Sequence, residues 1–260
     1  MEINLTNLGE IKALLEKHGL WAKKILGQNF LINPGVLDKI IEAAEIKETD
    51  HILEVGPGLG VLTKELGKKA KKVTSIELDI KLLKVLEETL KNNTNIEVIH
   101  ADALRSEPPK TPYKVVANIP YYITSPLISH YLENENPPTS MTLLMQKEVA
   151  QKICLKSGKF TYLTLKTQLF ANPTLKFKVS PGSFHPAPKV ESAVLHLEYS
   201  PKCSKEKAHK IIEVAGRAFK SARKKLSNTI PELKDKLEKL ELTGKRPQHL
   251  EISDWIKLVS

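Results

Sequence analysis

The chain has 260 residues, 41% of them hydrophobic, which is enough for one large domain or a domain with a small appendage. Its net charge of +10 indicates a polyanionic partner, either nucleic acid or an anionic membrane, unless the protein is simply basic. Two cysteines without metal-ligand spacing exclude a disulfide framework and indicate no metal site. No apolar run approaches the ~20 residues of a membrane span, and no signal peptide is recognisable, so we expect a cytoplasmic protein.

Short buried strands alternate with amphipathic helices through most of the chain. A helix is predicted at 8–18 and a second through Val36 and Ile40. Further helices are expected at 62–70, at 81–91 and from Glu148 onward. Strands are predicted at 51–55, 73–76, 96–100, 113–117, 141–145, 175–179 and 192–197. The alternation predicts an α/β domain over residues 1–200, with helices on both faces of a mainly parallel sheet.

Beyond residue 200 the strand signals stop, and 201–260 is predicted to be a small helical domain. Its first helix is expected to run from Lys205 to about Leu226. Arg217, Lys220 and Lys224 follow the spacing i, i+3, i+7, and so would form a basic stripe along one helix face. Such a stripe is suited to RNA phosphates, although a plain solvated face has the same composition.

A glycine-rich turn follows the first strand of the alternating region. Gly56-x-Gly58-x-Gly60 lies between a strand and a helix, where glycines allow a ligand to approach the backbone closely. The spacing differs from the dinucleotide fingerprint G-x-G-x-x-G. Glu77 ends the next strand and could accept both hydroxyls of a ribose, and Asp102 could accept an adenine amine. These features favour S-adenosylmethionine, which has no phosphate; the alternative is that both acidic residues only cap helices.

The stretch Asn118-Ile119-Pro120-Tyr121 ends another strand and supplies what an exocyclic base amine needs. The Asn118 side-chain oxygen and the Ile119 carbonyl oxygen could accept both N–H bonds of adenine N6 and localise its lone pair. Pro120 stiffens the turn, and Tyr121 offers a stacking face worth ~1–3 kcal/mol. Phe184, on a proline-rich loop, could cover the other face of the base or be a core anchor. Alone, Asn-x-Pro is a common turn.

Four motifs in order resemble the KsgA/RsmA family of small-subunit ribosomal RNA adenine dimethyltransferases. They begin at Leu26, Glu54, Asn118 and Phe184. The sequences are LGQNFL, EVGPGLG, NIPY and FHPAPKVES, and the similarity extends into the tail, to about Val259. One departure is Tyr122, where the family often has asparagine.

The resemblance implies a class I S-adenosylmethionine-dependent methyltransferase with a Rossmann-like mixed seven-stranded sheet. It implies N6,N6-dimethylation of two adjacent adenosines near the 3′ end of small-subunit rRNA within a pre-30S particle, by a monomer without a metal. The expected cofactor-binding residues are Gln28, Asn29, Leu31, Gly56, Gly58, Glu77, Leu78, Asp102, Ala103 and Asn118. The expected catalytic residues are Asn118, Ile119, Pro120, Tyr121 and Phe184. The expected RNA-binding residues are Arg217, Lys220, Arg223 and Lys224.

Two alternatives remain open on sequence alone. An Erm-type large-subunit rRNA methyltransferase shares the fold and the Asn-x-Pro-Tyr motif, although Leu26-Gly27 and the tail favour the small-subunit enzyme. A non-catalytic assembly or transcription factor could retain the same fold. Intact Gly56, Glu77 and Asn118 argue against loss of activity.

Overall fold

A computed structural model of the chain describes residues 3–20 and 28–260. Leu26 and Gly27, the first two residues of the predicted LGQNFL motif, lie outside these ranges. The strands are β1 Phe30–Leu31, β2 His51–Val55, β3 Lys72–Glu77, β4 Ile96–His100, β5 Lys114–Asn118, β6 Ser140–Gln146, β7 Ala171–Val179, β8 Phe184–His185 and β9 Ser192–Tyr199. The helices are α1 Leu8–Lys17, α2 Pro34–Ala43, α3 Val61–Lys69, α4 Ile80–Thr89, α5 Thr124–Leu132, α6 Lys147–Ile153, α7 Tyr162–Phe170, α8 Lys205–Phe219, α9 Leu226–Thr229, α10 Lys234–Lys239 and α11 Ile252–Val259.

Seven strands form one mixed sheet in the order β4-β3-β2-β5-β6-β9-β7. The first five run parallel, and β9 is antiparallel to β6. The predicted strands are confirmed, with ends that shift by at most four residues. The chain adds β3 and β4 on one side of β2 and β5 and β6 on the other. The strand order therefore reverses between β2 and β5, where open α/β sheets bind their ligands.

Apolar runs in the central strands explain why they are buried. In β5, Val115, Val116 and Ala117 are each fully inaccessible to solvent. Helix ends are set by short polar residues: Asn33 caps α2 ahead of Pro34, and Asp79 caps α4. These caps fix the residue at which each helix begins after its strand.

The tail differs from the expectation in one element. Helix α8 ends at Phe219 instead of continuing to about Leu226. Residues 220–224 form turns, and α9 then begins at Leu226. Ala222 and the charged run after it cannot continue the buried face of α8, because every residue from 223 to 225 is an exposed cation. The predicted single basic stripe is therefore wrong: Lys220 and Lys224 lie beyond the helix.

Contacts divide the chain into two compact units. One contains residues 1–150 and 174–198, and the other contains 151–173 and 199–260. Thus Gln151–Pro173, placed in the first domain by the sequence, clusters with the C-terminal helices. Inside this second unit the rings of Phe219 and Trp255 stack with centroids 6.1 Å apart, and Tyr162 lies 5.8 Å from Phe219.

A second, two-stranded sheet was not predicted. Strand β1 pairs antiparallel with β8, so that Leu31 lies opposite Phe184 and Phe30 opposite His185. The Ile32 N–H donates to the Ser183 carbonyl at 2.9 Å. Two-residue strands have no periodicity that a sequence pattern can reveal.

Candidate active site

A cavity lies at the carboxyl ends of β2, β3 and β5, and it brings together most of the predicted site. Its lining includes predicted residues from five separate segments of the chain: Gln28, Asn29, Leu31, Gly56, Gly58, Glu77, Leu78, Asp102, Ala103, Asn118, Ile119, Pro120 and Tyr121. Of the predicted cofactor and catalytic residues, Phe184 alone is not part of this lining. The strand topology explains the convergence, because parallel strands end at the same edge of the sheet.

The glycine turn has the backbone conformation that only glycine adopts without strain. Gly56, Gly58 and Gly60 have φ values of +70°, +62° and +87°. The Gly56 N–H donates to the Ile76 carbonyl at 2.9 Å, which joins the turn to β3. A Cβ on Gly58 would lie 3.3 Å from the Phe30 ring. The turn therefore presents bare backbone to the cavity.

Glu77 ends β3 with its carboxylate held by the backbone. Its Oε1 accepts from the Asp79 N–H at 2.8 Å, and its Oε2 from the Gly58 N–H at 3.3 Å. Burial raises the pKa of Glu77, whereas these N–H donors oppose the rise. The carboxylate lies in the lining of the cavity, where it could accept the hydroxyls of a ribose. Next to it, Leu78 is 55% exposed at the cavity, a free apolar face for a flat ring.

Asp102 follows β4 on the same edge. Its Oδ1 accepts from the Leu104 N–H at 2.9 Å, and its Oδ2 lies 3.5 Å from Nε of Arg105. Ala103 is buried, and its carbonyl accepts from the Tyr131 hydroxyl at 3.3 Å. The start of the loop after β4 is thus held by hydrogen bonds, and the partly exposed carboxylate of Asp102 lines the cavity.

Glu54 is a cavity residue that the site prediction did not include. It is 1% exposed, and its Oε2 accepts from the Ser75 hydroxyl at 2.7 Å. Burial raises the pKa of Glu54 to about 7, and the nearby Glu77 carboxylate adds to the rise. The signal was present in the sequence, since an ionisable residue stands inside the otherwise buried strand β2.

Two further residues of the lining were also missed. Asp79, the cap of α4, accepts from the Gln28 side-chain amide at 3.3 Å and so ties the motif segment to β3. Leu5, from the stretch before α1, reaches the cavity as part of a core cluster with Phe30 and Leu59. An isolated leucine in a polar stretch carries no sequence signal for such a role.

Asn118 and Ile119 line the cavity, and each has an oxygen atom that accepts no hydrogen bond from the described part of the chain. The Asn118 Nδ2 donates to the Asn29 carbonyl at 3.2 Å, which assigns the orientation of the amide. Within residues 3–20 and 28–260, no hydrogen bond reaches Oδ1 of Asn118 or the carbonyl oxygen of Ile119. The Ile119 N–H is used by the Leu144 carbonyl at 3.2 Å. Two acceptors are thus left over beside the cavity.

Tyr121 is held by a hydrogen bond at its far end. Its hydroxyl and that of Ser192, the first residue of β9, are 2.7 Å apart. Ser192 is fully buried, whereas Tyr121 is half-buried and lines the cavity. Burial raises the pKa of Tyr121, so the ring stays neutral near pH 7. The arrangement fixes the ring plane by both ends of the side chain.

Phe184 occupies a different place from the one proposed for it as a stacking ring. It is 3% exposed and belongs to the core cluster with Leu31, Leu37 and Val194. The alternative role of core anchor is the one that this position shows. Its pairing in β8, which no pattern predicted, turns the ring into the core.

The predicted RNA-binding residues are exposed, but they are not equivalent. Arg217 donates from Nη2 to Glu232 at 2.9 Å and lies 3.7 Å from Glu213. Lys220, Arg223 and Lys224 form what we call the basic turn, residues 220–224, and no carboxylate pairs with them in the described part of the chain. Arg217 is therefore partly neutralised, whereas the basic turn presents free cations.

The described residues offer neither a metal site nor a membrane-spanning helix. None of their histidine, cysteine, aspartate and glutamate side chains cluster as a metal site would require. None of their helices has both the length and the apolar character to cross a bilayer.

Comparison with known proteins identifies the family of the chain. A family model described as ribosomal RNA adenine dimethylase matches residues 19–250. A protein of Dehalococcoides mccartyi, "Ribosomal RNA small subunit methyltransferase A", is 45% identical over 73% of this chain and 67% of its own length. A Listeria innocua protein of the same name is 35% identical over 99% of this chain and 96% of its own. The crystal structure of the 23S rRNA methyltransferase ErmE superposes with a TM-score of 0.74, at 30% identity over 89% of this chain and 98% of that one.

The sheet order and the cavity at its switch point define a Rossmann-like methyltransferase fold. Within that class, the chain belongs to the ribosomal RNA adenine dimethylase family. It is accordingly an rRNA adenine dimethyltransferase.

Proposed function

We propose that this protein transfers methyl groups from S-adenosylmethionine to N6 of two adjacent adenosines near the 3′ end of small-subunit rRNA. The product is N6,N6-dimethyladenosine, made late in the assembly of the small subunit in the cytoplasm. The observation that carries the proposal is the pair of unused acceptors, Asn118 Oδ1 and the Ile119 carbonyl, beside the cavity. The names of the Dehalococcoides and Listeria relatives support the small subunit as the target.

The cofactor proposal rests on how the lining fits that molecule. Glu77 can accept ribose hydroxyls, Leu78 can lie against the adenine ring, and Asp102 can accept its amine. The bare turn at Gly56 and Gly58 leaves room for the amino-acid portion. The buried carboxylate of Glu77 favours a cationic ligand, and such a ligand would also favour ionisation of Glu54 beside it. When bound, S-adenosylmethionine supplies an electrophilic methyl group on a positively charged sulfur.

The chain's own contribution to the reaction is to hold and activate the amine. Adenine N6 is a weak nucleophile because its lone pair is delocalised into the ring. Asn118 and Ile119 each accept one N–H bond, which favours a tetrahedral nitrogen with a localised pair. Tyr121 holds the plane of the base. No strong general base is needed, since the proton becomes acidic only after transfer; catalysis is mainly positioning.

The target base has to leave its stack to reach these groups. The unpaired cations of the basic turn are suited to the phosphates that flank such a base. We propose that the second unit, through Lys220, Arg223 and Lys224, contacts rRNA in a pre-30S particle, and that the protein acts as a monomer.

Primer extension across the 3′ end of small-subunit rRNA tests the proposal. N6,N6-dimethyladenosine cannot form its normal Watson–Crick pair, so it stops the polymerase. Undermethylated subunits incubated with this protein and S-adenosylmethionine should give a stop at the first dimethylated adenosine that the polymerase meets, and subunits alone should lack this stop. Incorporation of labelled methyl into large-subunit rRNA instead would favour the Erm-type activity, and no incorporation with either subunit would favour a non-catalytic factor.

A further inference from the structure

Tyr122 is a large aromatic side chain left exposed at the mouth of the cavity. It is 58% exposed and lines the cavity from the short 3-10 turn Tyr121–Ile123, directly after Pro120. In the described ranges no hydrogen bond or ring contact involves it. Its neighbour Tyr121 is half-buried and hydrogen-bonded to Ser192. Two successive tyrosines thus face different surroundings, one inside the site and one at its edge.

Exposed large apolar side chains are few in the described part of the chain, and two of the six line the cavity. Within the described residues they are Leu8, Leu78, Ile80, Ile99, Tyr122 and Val190. Leu78 and Tyr122 line the cavity, and Ile80 is two residues from Leu78. Leu78 follows β3 on the cofactor side, whereas Tyr122 directly follows the acceptor motif. Exposed apolar groups beside a cavity indicate ligand contact, and the position of Tyr122 assigns that contact to the RNA.

We propose that the ring of Tyr122 stacks on the nucleobase next to the target adenine in the RNA strand and holds it at the mouth of the cavity. The inference rests on the proposed function, in which two adjacent adenosines are methylated in turn. When one base enters the cavity its neighbour loses a stacking partner. An exposed aromatic ring on the acceptor motif replaces that partner, and base–aromatic stacking of this kind contributes in every sequence context.

The proposal also explains how one site handles both adenosines. Stacking uses the face of a base, whereas the methyl groups of a modified adenine are carried at its edge. The ring of Tyr122 therefore accepts the neighbouring base whether or not it is already methylated. The ring of Tyr122 can therefore act whichever of the two adenosines is methylated first.

Steady-state kinetics on small subunits reconstituted with undermethylated rRNA tests the role of the ring. Tyr122→Ala should raise the KM for the subunit by roughly 5- to 100-fold. Tyr122→Phe, which keeps the ring, should stay within about twofold of the parent protein, and Tyr122→Leu should resemble the alanine variant. The dissociation constant for S-adenosylmethionine, measured by calorimetry, should be unchanged in all three. Ile99→Ala, an exposed apolar residue on β4, is the matched control and should leave KM unaltered.

An abasic substrate makes the test specific for the neighbouring base. Subunits whose ligated synthetic 3′ segment lacks the base beside the target should bind the parent protein as weakly as intact subunits bind Tyr122→Ala. The two changes together should weaken binding no further. Additive losses, or an unchanged KM for Tyr122→Ala, would overturn the proposal. The same assay measures methylation of intact subunits by the parent protein. Absence of that methylation would contradict the proposed function itself, independently of the role of Tyr122.

Discussion

At the scale of single residues, the Asn118 side chain has two roles, because its nitrogen and its oxygen bind different partners. Its Nδ2 is fixed by the Asn29 carbonyl, and this bond leaves Oδ1 for the acceptor. We expect Asn118→Ala to lower the rate of methyl transfer at least about 100-fold, because removal of one preorganised hydrogen-bonding group from an active site typically costs ~10²–10³. Single-turnover transfer to undermethylated subunits measures the loss.

The control for this variant is Asn92→Ala, at an exposed asparagine in the turn after α4. Asn92→Ala should retain full activity. Urea unfolding should show that Asn118→Ala remains folded. Near-normal turnover by folded Asn118→Ala would contradict the proposed grip on N6.

The hydroxyl pair of Tyr121 and Ser192 gives a second prediction at this scale. Both Tyr121→Phe and Ser192→Ala remove the 2.7 Å hydrogen bond while leaving the ring in place. Each should lower kcat several-fold by loosening the plane of the target base, and the double variant should be no worse than the more impaired single variant. Ser192→Thr, which restores a hydroxyl, should recover activity. Additive effects in this double-mutant cycle would show that the two hydroxyls act independently.

Glu54 predicts a pH dependence of stability. Burial raises its pKa from 4.5 to about 7 in the folded chain, so folding favours the protonated form. The resulting stabilisation is complete below pH 4.5 and is lost as the pH rises toward and past 7, by about 3 kcal/mol in total. Glu54→Gln stays neutral and should lose less stability than the parent protein between pH 5 and pH 8.

Urea unfolding at several pH values measures this difference without bound cofactor. Glu87→Gln, at an exposed glutamate of α4, should follow the parent curve. Parallel curves for Glu54→Gln and the parent protein would mean that the Glu54 carboxyl does not change its protonation state in this range.

At the scale of elements, the end of α8 changes what the tail presents to RNA. Because α8 stops at Phe219, the cations of the basic turn leave the helix face and become loop side chains. Replacing Lys220, Arg223 and Lys224 by alanine should weaken binding to subunits. It should also reduce the slope of log K against log [salt] by ~0.7–0.9 for each RNA phosphate that the variant no longer neutralises. Fluorescence anisotropy or filter binding across a salt series gives that slope.

Helix α10 offers the matched control, since Lys234, Lys236 and Lys239 are equally exposed. Lys234 lies 3.9 Å from Glu238, and Lys236 donates to the Ser260 carbonyl, so internal partners engage both. The triple alanine variant of α10 should keep the parent slope. An unchanged slope for the basic-turn variant would mean that these residues do not contact RNA phosphates and are only a solvated surface. Arg217 is expected to contribute less because of its bond to Glu232.

The elements that sequence could predict are those with internal periodicity. The seven sheet strands and the helices that alternate with them carry such patterns, and the strand-end residues Glu77, Asp102 and Asn118 were located from them. Strands β1 and β8 have two residues each, and their pairing joins positions about 150 residues apart, which no local pattern encodes. The interior position of Phe184 and the Tyr121–Ser192 bond follow from such long-range packing, and so they could not be predicted.

At the scale of the whole molecule, the second unit is assembled from two separate segments. Helix α7, from the segment 151–173, packs against α8 and α11. It buries Leu165, Leu169 and Phe170. A shortened chain that ends at residue 200, where the strand signals in the sequence stop, lacks α8 and α11. The apolar face of α7 is then exposed to solvent. We expect that chain to bind a hydrophobic dye and to aggregate on heating below the unfolding temperature of the full chain.

A second shortened chain provides the control. Replacing 151–173 by a glycine-serine linker in the chain that ends at residue 200 removes the uncovered face as well. It should bind less dye than the first. If the chain that ends at residue 200 binds no dye and unfolds like the full protein, then α7 does not depend on the C-terminal helices.

The segment 28–31 connects the two halves of the site. Leu31, which is expected to contact the cofactor, pairs with the core residue Phe184, and the Asn29 carbonyl accepts from the side-chain amide of Asn118 in the acceptor motif. A ligand that fixes Asn118 therefore also acts on the backbone of the cofactor segment. The two affinities are then thermodynamically coupled, and coupling is reciprocal: whatever factor S-adenosylmethionine adds to the affinity for RNA, RNA must add to the affinity for S-adenosylmethionine.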